Sequence, residues 1–387
     1  MNLYLVGGVL PETCWLPESR PKPLCGRTEV VEVRRITFPL EGFNVSGGVR
    51  VIIQVANGLA ERGHRVRIVV PDYAARPPFR LHESVELEIR RTGRPKFLKK
   101  FLYLVSLCLT ATKKSDICFA TGYKTPYYLC LSKCLCLSPA KLVYLIQHYE
   151  PLSHAGGRGW LSNLILYRLA KLGYKLPLKK VAVSSWVRDM VGDAKASVID
   201  NGIDLSMFRP TNGVRRTTEA FTVGTIAGAA EWKGYRVFLD AIRQIPDQEK
   251  RKMRVLVASQ IPTELPNGMS AQLIKPSGES ELVAFYNSCD IFICSSFIEG
   301  FGLPGLEAMA CGVPVITTSC GGVSQYANSS NCFIVAPDDS SEMADSIVKL
   351  RRNDNLRVIF RENGLETSRR FSLEKMIEWY LRLLSVL

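Results

Sequence analysis

Acidic residues are scarce in the first half of this 387-residue chain. Residues 1–200 hold 15 Asp+Glu against 30 Lys+Arg, while residues 201–387 hold 21 against 20, so the whole formal excess of +14 belongs to the first half. Such an imbalance points that half toward something anionic: nucleic acid, a membrane surface or a phosphorylated substrate. Only four histidines are present, at 64, 82, 148 and 154. Among the 12 cysteines, Cys130, Cys134 and Cys136 lack the paired spacing of a zinc site, and no His follows at finger distance, so no metal site is expected. Most of the thiols sit in apolar runs, such as Cys294 in IFICSS and Cys311 in EAMACGVPV, where reduced buried cysteines belong. A chain of this size is also not a disulfide scaffold. Long apolar runs are missing too. The best, Phe101–Ala111, is about half of the ~20 residues that span a bilayer. Residues 127–146 are interrupted by Lys133, Pro139 and Lys141, and Leu3–Leu10 has no basic residue before it and is short for a signal segment. The reading is therefore cytoplasmic, with no spanning helix. No aromatic-basic RNA signature or helix-turn-helix pattern supports nucleic-acid binding.

Apolar residues make up 47% of the chain and charged residues 22%, which excludes disorder and supports a large core. At roughly 100–200 residues per domain the length suggests two domains. Apolar runs of strand length alternate with segments of helical period. In the first half the strands are expected at 30–37, 65–70, 85–89, 116–121, 141–147 and 180–185, with a helix at 49–62. In the second half they are expected at 221–227, 253–259, 271–274, 290–296, 313–318 and 332–336. Continuous apolar strands alternating with helices mean parallel sheets covered on both faces, so the fold class is α/β with two doubly wound domains. The boundary is placed at 201–220, where RPTNGVRRTTEA breaks the periodicity. This gives domains at 1–200 and 201–370. Residues 371–387 form a terminal amphipathic helix expected to pack back on the first domain, and residues 1–29 carry no clear period.

Ligands of open α/β sheets bind at the carboxyl ends of the strands, and three turns there stand out. In Phe43–Gly48, Gly47 and Gly48 open a helix, which lets backbone N–H groups approach an anion or simply makes a tight turn. The pattern is not GxGxxG, so a nicotinamide fingerprint is not supported. In Ser295–Val315, Glu299 lies in a glycine-rich loop, Pro304 suits a helix first turn and Gly312 its stop. Glu307 then falls about one turn into the helix. An anion such as a diphosphate fits the free N–H groups, and a carboxylate one turn deeper fits a sugar diol; an exposed Glu307 that only complements the helix dipole is the plainer alternative. His148, in Gln147–Pro151, is the one histidine at a strand's carboxyl end.

The segment EGFGLPGLEAMACGVPV (299–315) resembles the donor-site signature of the retaining GT-B glycosyltransferases of family 4, the glycosyl transferases group 1, with two glutamates seven residues apart in a glycine-rich frame. SGGVRVIIQVANGLAERGHRVRIVV, VSSWVRDMV, VIDNGIDLSMFRP and GTIAGAAEWKGYRVFLDAI resemble further parts of that family in the same order. The resemblance implies two Rossmann-like domains facing across a cleft, the first holding the acceptor and the second a nucleotide-diphosphate sugar. It implies that Glu307 binds the nucleotide ribose. Glu299, with the backbone at Phe301, Gly302 and Leu303, holds the donor sugar and its phosphate. Lys233 neutralises the diphosphate leaving group and His148 contacts the donor sugar, so Glu299, His148 and Lys233 are the implied catalytic set. Gly47 and Gly48 lie by the diphosphate, and Asn201 and Gly202 turn toward the donor. Thr225 stands among the donor-binding positions where the family often carries an Arg, which leaves Arg50 or Arg236 as the second phosphate cation.

The implied activity is a hexosyl- or deoxyhexosyltransfer with retention and without a metal or other cofactor, to a glycan, lipid-linked or other acceptor hydroxyl. An NDP-sugar epimerase of the same fold is the alternative, and a basic nucleic-acid- or membrane-binding protein without catalysis is one of another class. Arg90, Arg91, Arg94, Lys96, Lys99, Lys100, Lys113 and Lys114 flank the apolar run Phe101–Ala111. That pattern suits an interfacial helix on an anionic membrane face, or an ordinary helix with solvated ends.

Overall fold

Runs such as RITFP, RVRIVVP and KLVYLI are too continuously apolar for a strand with one wet face, and each becomes a strand buried in a parallel sheet. The computed structural model describes residues 32–43, 46–74, 77–91, 103, 106, 112–136, 139–154, 160–211 and 220–387. Most of Phe101–Ala111, with Arg94, Lys96, Lys99 and Lys100, lies outside the described residues, as do residues 1–29 and the boundary segment 212–219.

The first sheet has seven strands in the order β3-β2-β1-β4-β5-β6-β7, all parallel. They are β1 (Arg35–Pro39), β2 (Arg65–Pro71), β3 (Val85–Arg90), β4 (Ile117–Ala120), β5 (Lys141–Ile146), β6 (Lys179–Ala182) and β7 (Ser197–Val198). The second has six, ordered β10-β9-β8-β11-β12-β13 and again all parallel. They are β8 (Phe221–Ile226), β9 (Met253–Ala258), β10 (Ser270–Ile274), β11 (Ile291–Cys294), β12 (Val315–Thr318) and β13 (Cys332–Val335). Two expectations need correction. Of the strand expected at 30–37, residues 30 and 31 lie outside the described residues, and β1 starts at Arg35, where it pairs with Arg65 of β2. The two-residue β7 was not expected, being too short to carry a period.

The helices that matter here are α1 (Gly47–Glu61), α2 (Thr125–Cys136), α3 (Trp160–Gly173), α4 (Ser185–Val191), α5 (Tyr235–Gln244), α6 (Asp247–Lys250), α7 (Glu279–Asn287), α8 (Leu303–Ala310), α9 (Ser340–Arg352), α10 (Asp354–Arg370) and α11 (Leu373–Ser385). Ser372 caps α11, accepting from the Lys375 N–H at 3.3 Å. The helix lies on α1, where a Cβ at Gly58 would come within 2.6 Å of the Ile377 side chain. Tyr380 meets Phe119 of β4 at 6.1 Å between ring centroids. One hydrophobic cluster runs from the first sheet through α11 to the α8 side of the second sheet, and a second cluster fills the other face of that sheet. Eight cysteines among the described residues are free, six of them buried. Among the described residues no helix is long and apolar enough to cross a membrane.

Candidate active site

Each sheet reverses its strand order beside its first strand, between β1 and β4 and between β8 and β11. Ligands of such sheets bind outside the carboxyl ends at that point, and here both ends open on one cleft of about 560 Å³.

On the first-domain wall, Ser46 caps α1 by accepting from the Val49 N–H, which leaves the N–H groups of the first turn unpaired within the helix. Gly47 and Gly48 keep this turn thin. A Cβ at Gly47 would lie 3.4 Å from Leu303 Cδ1, and one at Gly48 would lie 3.2 Å from Gln147 Oε1. The first turns of α1 and α8 therefore face each other across the cleft, bringing the positive ends of two helix dipoles together. His148, just past β5, stacks on Trp232 of the second domain at 5.3 Å and 21°.

On the opposite wall, Lys233 ends a 3-10 turn (Glu231–Lys233) after β8. The following Gly234 has φ 64°, and a Cβ there would fall 1.9 Å from Ser295 O, so only glycine fits. Lys233 Nζ donates to Glu299 Oε1 at 2.6 Å, and Ser296 Oγ donates to the same oxygen at 2.7 Å. Burial alone would loosen the Lys233 proton, but the charge and hydrogen bond of Glu299 outweigh it and the ammonium holds its proton more tightly than usual. Lys233 also sits 4.6 Å from the Trp232 ring centroid, so one indole touches both Lys233 and His148. The backbone of Glu299 is fixed by bonds to Cys320 and Gly322. Gly302, at φ 87°, starts α8, with Pro304 in its first turn.

Glu307 is not the exposed dipole partner that the sequence left open. It is 1% exposed. One oxygen takes an ion pair from Arg50 of α1, and the other accepts from Tyr286 Oη at 2.8 Å. Arg50 Nε also lies 3.9 Å from Glu279. Burial presses the Arg50 guanidinium below its usual value. The same burial raises the Glu279 carboxyl, against the pull of Arg50.

The cleft thus brings together Glu299, His148, Lys233, Glu307, Phe301, Gly302, Leu303, Gly47, Gly48 and Asn201. Asn201 Oδ1 is buried and accepts no hydrogen bond. Two expected positions are not part of its lining. Thr225 sits within β8, and its hydroxyl donates to Ile293 O at 3.0 Å inside the sheet. Gly202 packs against the α11 entry instead, where a Cβ would be 2.6 Å from Ser372 O. Of the two candidate cations, Arg50 lines the cleft and Arg236 is exposed outside it. Sequence reasoning missed Trp232, Ser296, Glu279 and Tyr286. Trp232 adjoins Lys233 in the turn after β8, and Glu279 follows Pro276-Ser277-Gly278 after β10, so both had a strand-end signal. Tyr286 had none, being one aromatic on a helix.

The comparisons with known proteins meet this geometry. The family described as Glycosyltransferase Family 4 matches residues 45–207, and that described as Glycosyl transferases group 1 matches residues 219–353. The chain is similar to an uncharacterized glycosyltransferase of Methanocaldococcus jannaschii, 27% identical over 213 residues, which cover 51% of this chain and 57% of that protein. It is similar to the D-inositol 3-phosphate glycosyltransferase of Corynebacterium urealyticum, 28% identical over 218 residues, 48% of this chain and 51% of the other. The chain spans about half the length of the curated relatives it matches. In fold it resembles Anabaena HepE, solved with UDP-glucose, with a TM-score of 0.73 over 92% of this chain and 100% of that one at 18% identity. The architecture is GT-B: two facing parallel-sheet α/β domains.

Proposed function

The chain belongs to the family 4, group 1 glycosyltransferases, and we propose on that premise that it moves a sugar from a nucleotide-diphosphate sugar to an acceptor hydroxyl with retention of configuration. The observation that carries this reading is the convergence of Lys233, Glu299 and Glu307 with the first turns of α1 and α8 on one cleft. The N–H groups and dipoles of those two turns suit a diphosphate. Glu307 suits the ribose diol and Glu299 the sugar hydroxyls. When the bond from the sugar anomeric carbon to the diphosphate oxygen breaks, charge builds on the leaving oxygen. Lys233 and the two helix ends stabilise that charge where it develops, which needs no metal. The acceptor oxygen then bonds to the same carbon on the same face, and its proton passes to a leaving phosphate oxygen. His148, on the acceptor side, borders the reacting carbon. The acceptor is a glycan or lipid-linked hydroxyl held by the first domain, and the enzyme works at a cytoplasmic membrane face.

That neighbour HepE was solved with UDP-glucose supports a nucleotide-sugar donor. The test is a thermal-shift screen of nucleotide sugars followed by an assay for free nucleotide diphosphate. A bound donor at 100 times Kd stabilises by ~2.7 kcal/mol, and nucleotide diphosphate should appear with acceptor present. A donor that is epimerised without nucleotide release would overturn the reading.

A further inference from the structure

Between Ile117 and Arg188 the chain holds ten Lys and Arg against one acid, Glu150, whose carboxylate is turned inward to Tyr144. Helices α2 and α3 lie in this stretch and carry no acidic residue. Both leave leucines in water. Leu131 and Leu135 of α2 and Leu164, Ile165, Leu169 and Leu172 of α3 are between 38% and 62% exposed. Their spacing places them on one face of each helix, the face that a helix ordinarily buries. The two faces meet at Tyr127, which precedes Leu131 by one turn. Its hydroxyl donates to Leu169 O at 2.6 Å, and its ring lies 3.6 Å from where a Gly173 Cβ would stand. On α3, Arg168 stands one turn from both Leu164 and Leu172, Lys171 adjoins Leu172 and Lys175 follows the helix end; all three cations are exposed. The strip adjoins the cleft, because Tyr174 at the end of α3 stacks on Tyr149, the residue after His148, at 5.9 Å.

We propose that this face docks on an anionic lipid bilayer, with the leucines entering the boundary between headgroups and acyl chains and the three cations Arg168, Lys171 and Lys175 reaching the headgroups. Exposed apolar surface rimmed by charge marks an interaction site, and the charge selects the occupant. A second copy of the chain would set Arg168, Lys171 and Lys175 against their own images, a repulsive arrangement. An anionic leaflet neutralises them. The inference rests on the proposed function only in giving that enzyme an acceptor presented at a membrane.

The test is co-sedimentation of the full chain with phosphatidylcholine vesicles, with and without phosphatidylglycerol. Two variants are compared, Ile165→Ser with Leu169→Ser and Leu172→Ser, and Arg168→Glu with Lys171→Glu. Wild type should bind the anionic vesicles preferentially and less so as salt rises, and each variant should bind roughly tenfold more weakly or worse. Both variants should keep the wild-type melting curve and rate of nucleotide release, since neither touches the cleft. Equal partitioning of wild type onto neutral and anionic vesicles, or serine variants that bind as well as wild type, would overturn the proposal. So would a wild-type dimer in sedimentation that the serine variant dissolves. Vesicle binding lost with nucleotide release intact sinks the docking face alone. Vesicle binding intact with no release from any nucleotide sugar sinks the transferase reading alone.

Discussion

Arg50, in the first turn of α1, and Glu307, on α8, form an ion pair across the cleft between the two sheets, and both are buried. Removing one partner of a buried pair leaves an uncompensated charge, which costs about 3–5 kcal/mol. Arg50→Ala and Glu307→Ala should each lower stability by that order in urea unfolding, and Arg50→Met combined with Glu307→Gln should cost much less than their sum. A Glu307 that only complemented the helix dipole would cost far less to remove. Glu307→Gln is the cleaner probe of the donor, and it should lose nucleotide-sugar binding in calorimetry while staying folded.

Lys233→Ala should lower kcat by about 10²–10³-fold, in the range measured for deleting one group that stabilises developing charge. Donor KM should change far less, because leaving-group charge is largest in the transition state. Steady-state kinetics across donor concentrations decide it. A change confined to KM would make Lys233 a ground-state contact only.

Transfer should proceed at an unchanged rate in excess EDTA, since Lys233 and two helix ends supply the positive charge at the diphosphate. Initial rates with and without the chelator, and with Mg²⁺ restored, check it. Loss of activity that the metal rescues would contradict the metal-independent reading.

The strands were legible because a parallel strand covered on both faces must be apolar throughout, as in FTVGTI or IFIC. Their parallel pairing follows from the βα alternation. What stayed hidden was set by distant partners. Arg50 was named as a candidate phosphate cation, but its pairing with Glu307, 257 residues away, leaves no local signal. Glu307 was placed on the right helix but its exposure stayed open, since burial at an interdomain surface leaves no local period. Thr225 and Gly202 sat beside motif residues, yet the pleat turns Thr225 into the sheet and the α11 entry occupies the space at Gly202.

Packing of α11 on α1 depends on Gly58, which is pressed against Ile377. Gly58→Val should therefore destabilise by about 1–3 kcal/mol through overpacking. Ile377→Ala alone should cost about 2–5 kcal/mol by opening a cavity. The double variant should fall well short of the sum, because the new side chain fills the space that the isoleucine leaves. Urea titration of the four proteins measures the coupling, and strict additivity would mean that the two side chains do not meet.

Glu150 gives the fold a stability that depends on pH. Burial pushes its carboxyl up to about 7, only partly opposed by the hydrogen bond from Tyr144. Its backbone N–H donates to Tyr174 Oη at 3.1 Å, which holds the residue in place beside the His148 loop. In the unfolded chain this carboxyl releases its proton near its ordinary value of 4.5, whereas the folded protein keeps it until about 7. Between those values the folded state binds more protons, so the Glu150 contribution falls as pH rises through that window and levels above it. Melting temperatures of wild type and Glu150→Gln, measured from pH 4 to pH 8.5, separate this contribution from the other titrating groups. The difference between the two curves should be small near pH 4 and should widen in favour of the Gln variant up to about pH 7. It should then approach a constant offset as both states ionise. A difference that is flat across the range would place the Glu150 carboxylate in water rather than against Tyr144.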